Sequence, residues 1–196
     1  RGQISSLQTA VLNEYSPAAL PRPADWPEHV QVTGFWLPPL PAGWAPAPEL
    51  EAFLAAGPPP IYLGLGSVAN SGPRKVTAAL LDALATLDAR VVISPGQVVL
   101  DGMWLPRELH IDRGTPHAWL FPRVAGVICH GGIGTLGSAL HAGVPSLSVP
   151  FFGDQFFWGR RMQQIGVAPA PLTARRVTAE AALARVRELA ESEALR

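Results

Sequence analysis

The chain has 196 residues, room for one ordinary domain with an appendage and for a real core. Apolar residues at 48% against 15% charged exclude extensive disorder, and fifteen basic residues balanced by fifteen acidic ones leave no overall field for nucleic acid or an anionic membrane surface. No apolar run approaches a membrane span, Arg1-Gly-Gln begins no signal peptide, and the single Cys129 in an apolar run excludes an internal disulfide and argues against a metal cluster. A cytoplasmic protein without stable membrane insertion is expected, and the start without Met reads as part of something longer.

In chain order, residues 4–15 suit a strand and a turn, and the proline-dense stretch from Ser16 to Pro27 stops any regular element because proline fixes φ and removes a donor. Residues 30–36 alternate well enough for one strand, and Leu37-Pro-Pro-Leu-Pro is again extended. Residues 1–50 therefore read as a connector with a little structure, stiff enough to join domains. A βα rhythm follows over 51–196. Helices are predicted over 49–56, 73–87, 116–121, 135–142, 154–165 and 178–195, and strands over 61–65, 90–94, 109–112, 124–129 and 146–149. The stripe on the last helix is Ala181, Val186 and Leu189. Continuous apolar strands separated by helices predict an α/β fold, a Rossmann-like parallel sheet with helices on both faces and a ligand crevice at the carboxyl ends of the strands.

The chemistry concentrates after Cys129. His130 and the glycines at 131, 132 and 134 turn a buried strand into a helix whose first N–H groups carry almost no side chains in front of them. Free N–H groups and the positive end of a helix dipole suit an anion, and a diphosphate is the natural guest. His130 adds an imidazole and Thr135 a hydroxyl. Ser67, after the first strand of the rhythm, suits either a plain strand end or a second hydroxyl for the phosphates, and Asp154 with Gln155 suits either a helix N-cap and first-turn residue or a pair of acceptors and donors for sugar hydroxyls. His117 and Trp119 suit either a packed short helix or the lining of a base pocket. Gly132-Ile-Gly-Thr-Leu-Gly137 also satisfies the dinucleotide fingerprint, but the following strand ends without the acidic residue that fingerprint requires.

The run from Thr115 to Thr135, continued by Ala142-Gly-Val-Pro and by Val149-Pro-Phe-Phe-Gly-Asp-Gln-Phe-Phe-Trp-Gly, resembles the donor-binding signature of family 1 glycosyltransferases, closest to the sterol-glucosyltransferase-like branch and its antibiotic-glycosylating relatives. Tyr15-Ser-Pro, Pro21-Arg-Pro-Ala-Asp-Trp-Pro and Val32-Thr-Gly-Phe-Trp resemble the linker of that branch. The resemblance implies the C-terminal half of a GT-B fold: residues 1–50 an interdomain linker and remnant of the N-terminal domain, residues 51–196 the donor-binding domain. It implies diphosphate contact by His130, Gly132, Gly134, Thr135 and Ser67, sugar contact by Asp154 and Gln155, and His117 near the nucleoside. The activity implied is inverting transfer of a hexose from a UDP- or dTDP-sugar to a hydroxyl of a lipophilic acceptor, with no metal and no cofactor. The catalytic base would belong to a missing N-terminal acceptor-binding domain. Gly114 occupies the place where plant relatives stack a tryptophan on the base. The alternatives are a nucleotide-sugar epimerase of the same two-domain type and, more distantly, a dinucleotide-dependent oxidoreductase.

Overall fold

A computed structural model describes residues 9–66, 73–96 and 100–195. Five strands, β3 (Ile61–Gly64), β4 (Val91–Ser94), β5 (Leu109–Ile111), β6 (Gly126–Cys129) and β7 (Ser146–Ser148), form one sheet in the order β5-β4-β3-β6-β7, every pair parallel. Two further strands, β1 (Val11–Asn13) and β2 (Val30–Val32), pair in parallel as a separate ribbon in register Val11↔Val30. The helices are α1 (Pro48–Ala55), α2 (Pro73–Thr86), α3 (His117–Leu120), α4 (Ile133–His141), α5 (Gln155–Gln164) and α6 (Ala179–Glu191).

Strict alternation along the central strands feeds two cores. Ile61, Leu63 and Ile128 face the side covered by α2 and α6, with Val76, Leu80, Leu84, Val186 and Leu189. Tyr62, Val127 and Cys129 face the other side, with Leu136, Ala139, Met162 and Phe121. Both faces are buried, which is why these strands carry apolar residues at consecutive positions. α6 approaches β6 closely: a Cβ at Gly126 would lie 3.0 Å from Leu189 Cγ. On α6 the fully buried alanine is Ala182, while the expected Ala181 is only packed at the margin, because the helix begins at Ala179 behind the Thr178 cap, whose hydroxyl accepts from Ala181 N at 3.1 Å.

α4 begins at Ile133, two residues earlier than the glycines suggested, so Gly132 is its N-cap and Gly134 and Thr135 lie in its first turn. It ends where expected: Gly143 at φ +68 closes a Schellman motif, with Gly143 N donating to Leu140 O and Val144 N to Ala139 O.

The proline-rich first part of the chain lies on the domain. Tyr15 and Ala19 are buried in the α4/α5 core, Arg161 Nε donates to Ala19 O at 2.6 Å, and the Phe35 ring fills the place of a side chain at Gly137 on α4. Arg22 holds the segment in shape by donating to the carbonyls of Pro23, Trp26, Pro27 and Val30. After β5 the chain returns to pair β6 with β3, so the strand order reverses between them. The crevice outside the carboxyl ends of β3 and β6 is thus the expected ligand position of such a sheet.

Candidate functional site

Two loops meet at that crevice, Leu65-Gly66 after β3 and His130-Gly131-Gly132 after β6. The His130 ring lies between two glycines. A Cβ at Gly66, where φ is +70, would sit 3.4 Å from His130 Cε1 and Nδ1, and a Cβ at Gly132 only 2.4 Å from Nε2. Nδ1 is buried and has no hydrogen-bond partner among the described residues. Burial pushes the imidazole below the ordinary histidine range, and the carboxylate of Asp154 pulls it partway back. The shift favours the uncharged ring, and a neighbouring anion would favour the imidazolium, which can donate from both nitrogens.

Directly beyond the ring stands the start of α4. Its first intrahelical bond runs from Leu136 N to Gly132 O, which leaves the N–H groups of Ile133, Gly134 and Thr135 without helical partners. A side chain at Gly134 would meet nothing within 4 Å, so a ligand can come close to the backbone there. Asp154 is exposed at the start of α5 and makes no capping bond.

Gln155 is placed differently from a free sugar ligand. It is 4% exposed, and its Oε1 accepts from Phe151 N at 2.9 Å and Phe152 N at 3.2 Å, so its carbonyl side holds the loop after β7 in shape. Its amide nitrogen is left over among the described residues. His117 stacks on Phe121 with centroids 4.2 Å apart, and its Nε2 lies 3.5 Å from the Tyr62 hydroxyl. Burial lowers its pKa, Asp112 raises it and His130 lowers it, so the two histidines feel each other across the crevice. Ser67 lies outside the described residues. The structure therefore brings His130, Gly132, Gly134, Thr135 and Asp154 together, with His117 at the edge and Gln155 turned inward.

Beside His117 opens a cavity of about 440 Å³ between the linker and the α3–α4 wall, lined by Trp36, Pro38, Pro116, His117, Thr135 and Ser138 among others. Sequence reasoning missed its linker wall. Ser138 was legible as the residue one turn beyond Gly134 on the same helix face, and its hydroxyl donates back to Gly134 O at 2.9 Å.

Residues 78–196 match the model described as erythromycin biosynthesis protein CIII-like, C-terminal domain. The chain belongs to that family. All of α3, β6, α4, β7 and α5 fall inside the matched span, whereas Gly66 and the linker lie before it. The chain is similar to a sterol 3-beta-glucosyltransferase of Arabidopsis thaliana, 34% identical over 194 residues, covering 98% of this chain and 31% of the relative. It is also similar to the O-mycaminosyltylonolide 6-deoxyallosyltransferase of Streptomyces fradiae, 40% identical over 178 residues and covering 90% of this chain and 41% of the relative. This EryCIII-like domain thus spans a third to two fifths of the length of these curated relatives. Among solved structures, the glycotransferase of kitacinnamycin superposes with a TM-score of 0.73 at 24% identity, covering 95% of this chain and 47% of that one. The fold is that of GT-B glycosyltransferases, and this is a glycosyltransferase C-terminal domain homologous to sterol and antibiotic glycosyltransferases. Neither alternative gains support. Gly137, which completes the dinucleotide pattern, is explained by Phe35, since a Cβ there would sit 2.5 Å from the ring.

Proposed function

We propose that this chain is the donor-binding half of an inverting glycosyltransferase that moves a hexose from a UDP- or dTDP-sugar, UDP-glucose first among them, to a hydroxyl of a lipophilic acceptor such as a sterol or polyketide. The observation that carries it is the buried Nδ1 of His130, without a partner among the described residues, beside the three N–H groups at the start of α4 that lack helical partners. In the reaction the acceptor oxygen bonds to the anomeric carbon while the bond from that carbon to the diphosphate breaks, and the electron pair leaves with the diphosphate. The α4 amides, the Thr135 hydroxyl and His130 oppose the charge that develops there, with no metal required in this reading. Asp154 accepts from hexose hydroxyls, and the Gln155 amide nitrogen donates to them. The acceptor's proton goes to a base outside this chain, so the 196-residue protein is expected to bind nucleotide and to transfer nothing. Among the described residues no helix is long and apolar enough to cross a membrane, and a cytoplasmic setting belongs to this reading.

Calorimetric titration of the chain with UDP, UDP-glucose, dTDP and NADH tests this. Binding of the uridine or thymidine ligands with no NADH binding is expected, and His130→Ala should cost about 1.5 to 3 kcal/mol of that binding. NADH binding in preference to UDP, or an unchanged affinity in His130→Ala, would overturn the assignment.

A further inference from the structure

Accepting a nucleoside diphosphate at α4, the nucleoside needs a surface for its base, and position 114 cannot supply one. Gly114 stands at φ +107, a backbone conformation that a side chain rarely adopts, and it is held there because Asp112 accepts from the N–H groups of Gly114 and Thr115 at 3.2 Å. The aromatic rings on the neighbouring elements are already engaged. Trp119 is packed against the edge of Trp44 and lies under the Arg123 guanidinium, and His117 is stacked on Phe121.

Trp36 is different. It is 56% exposed, yet its indole N–H donates to Thr33 Oγ1 at 2.8 Å, and its neighbour Phe35 is seated on α4 at Gly137. The ring is therefore oriented before any ligand arrives and keeps much of its surface open. It lines the same 440 Å³ cavity as Gly134 and Thr135, two residues of the phosphate-binding turn, and the size falls within the range of about 300 to 1,000 Å³ typical of small-molecule sites. A diphosphate at the start of α4 thus places the group esterified to it at the edge of this cavity, whose other walls include Trp36, Pro116 and His117.

We infer that the pyrimidine base of the donor nucleotide stacks on Trp36, so that the linker, and not the loop after β5, supplies the aromatic surface of the nucleoside site. The diphosphate is held by α4, and the base closes the space between linker and helix. Nucleotide binding then ties the linker to the domain, and donor recognition extends outside the span matched by the family model.

The test compares UDP with inorganic pyrophosphate, each titrated into the wild-type chain, Trp36→Ala and Trp36→Phe, with pyrophosphate measured by competition. Stacking of one base typically changes affinity about five- to hundred-fold on truncation to alanine. The expected result is a loss of UDP affinity of that size in Trp36→Ala, a smaller loss in Trp36→Phe, pyrophosphate affinity within about two-fold of wild type in both, and unchanged melting temperatures. UDP affinity unchanged in Trp36→Ala while the wild type binds UDP would overturn the stacking role and leave the diphosphate site standing. Equal losses for UDP and pyrophosphate would also overturn it, by showing that the indole supports the fold of the site. A wild-type chain that binds neither probe would sink the diphosphate reading and this inference with it.

Discussion

Gly132→Ala isolates the packing around His130. The backbone at Gly132, φ −67 and ψ 138, is open to any residue, so an alanine there meets only one obstacle, the imidazole Nε2 lying 2.4 Å from the new Cβ. Ordinary contact begins near 3.4 Å, so the ring must shift by about 1 Å or turn out of its slot. Overpacking of this kind costs about 1 to 3 kcal/mol, and replacing a glycine N-cap by alanine adds up to about 1 kcal/mol more. At about 2 to 4 °C per kcal/mol for a chain of this size, the melting temperature should fall by about 2 to 16 °C. In a His130→Ala background the obstacle is gone, and only the capping loss, about 2 to 4 °C, should remain. Thermal or guanidinium unfolding of the four proteins gives the coupling directly, expected at the overpacking cost of about 1 to 3 kcal/mol. Gly134→Ala serves as a control, because its new methyl meets nothing and the helix gains an alanine. Equal destabilisation by Gly132→Ala with and without the imidazole would refute the argument, since the ring would then not occupy the slot.

The remaining predictions concern protons and the loop after β7. His117 and His130 both have folded pKa values below that of the unfolded chain, so the folded protein binds fewer protons. Their contribution to stability is full above about pH 6.5 and is lost as pH falls through the folded values. Unfolding midpoints measured from about pH 8 to pH 5 should decline on acidification, less steeply in His130→Ala, and a flat profile would contradict the burial of both rings. A bound diphosphate reverses the sign for His130, because the anion favours imidazolium: pyrophosphate affinity should rise as pH falls toward 6.5, and that rise should vanish in His130→Ala. Gln155→Ala leaves the Phe151 and Phe152 N–H groups without their acceptor and should cost about 1 to 3 kcal/mol in unfolding experiments. Gln155→Glu keeps an acceptor oxygen for both N–H groups, so it should retain more of the melting temperature than Gln155→Ala while weakening UDP-glucose relative to UDP; equal effects on the two ligands would remove Gln155 from sugar recognition.

The sheet and its helices were legible because apolar runs bounded by glycine and proline leave few alternatives once both faces of a parallel sheet must be buried. The turn after Cys129 was legible for a related reason: consecutive glycines weaken a helix unless something needs the space, and here the His130 ring takes the space at Gly132 while Gly134 stays open. Other features depend on contacts between distant parts of the chain. That Gln155 turns inward follows from how residues 151–154 fold back over α5, which no local pattern encodes. The proline-rich stretch reads as a free connector because proline excludes helix and strand. It says nothing about docking, which Tyr15, Ala19 and Phe35 achieve by finding α4 and α5 far along the sequence. The Trp36 cavity is likewise the product of that docking.

That docking bears on where the gene should be cut for expression. A shortened protein beginning at residue 51 would keep every strand of the five-stranded sheet and the amides at the start of α4, yet it would strip the cover from Met162, Leu136 and Ala139 and expose the bare backbone at Gly137. Such a product should aggregate, even though its start coincides with the first residue of the βα rhythm. The cover itself begins at Tyr15 and Ala19, so a protein that keeps these residues and Phe35 should stay folded and soluble where one that starts at residue 51 does not.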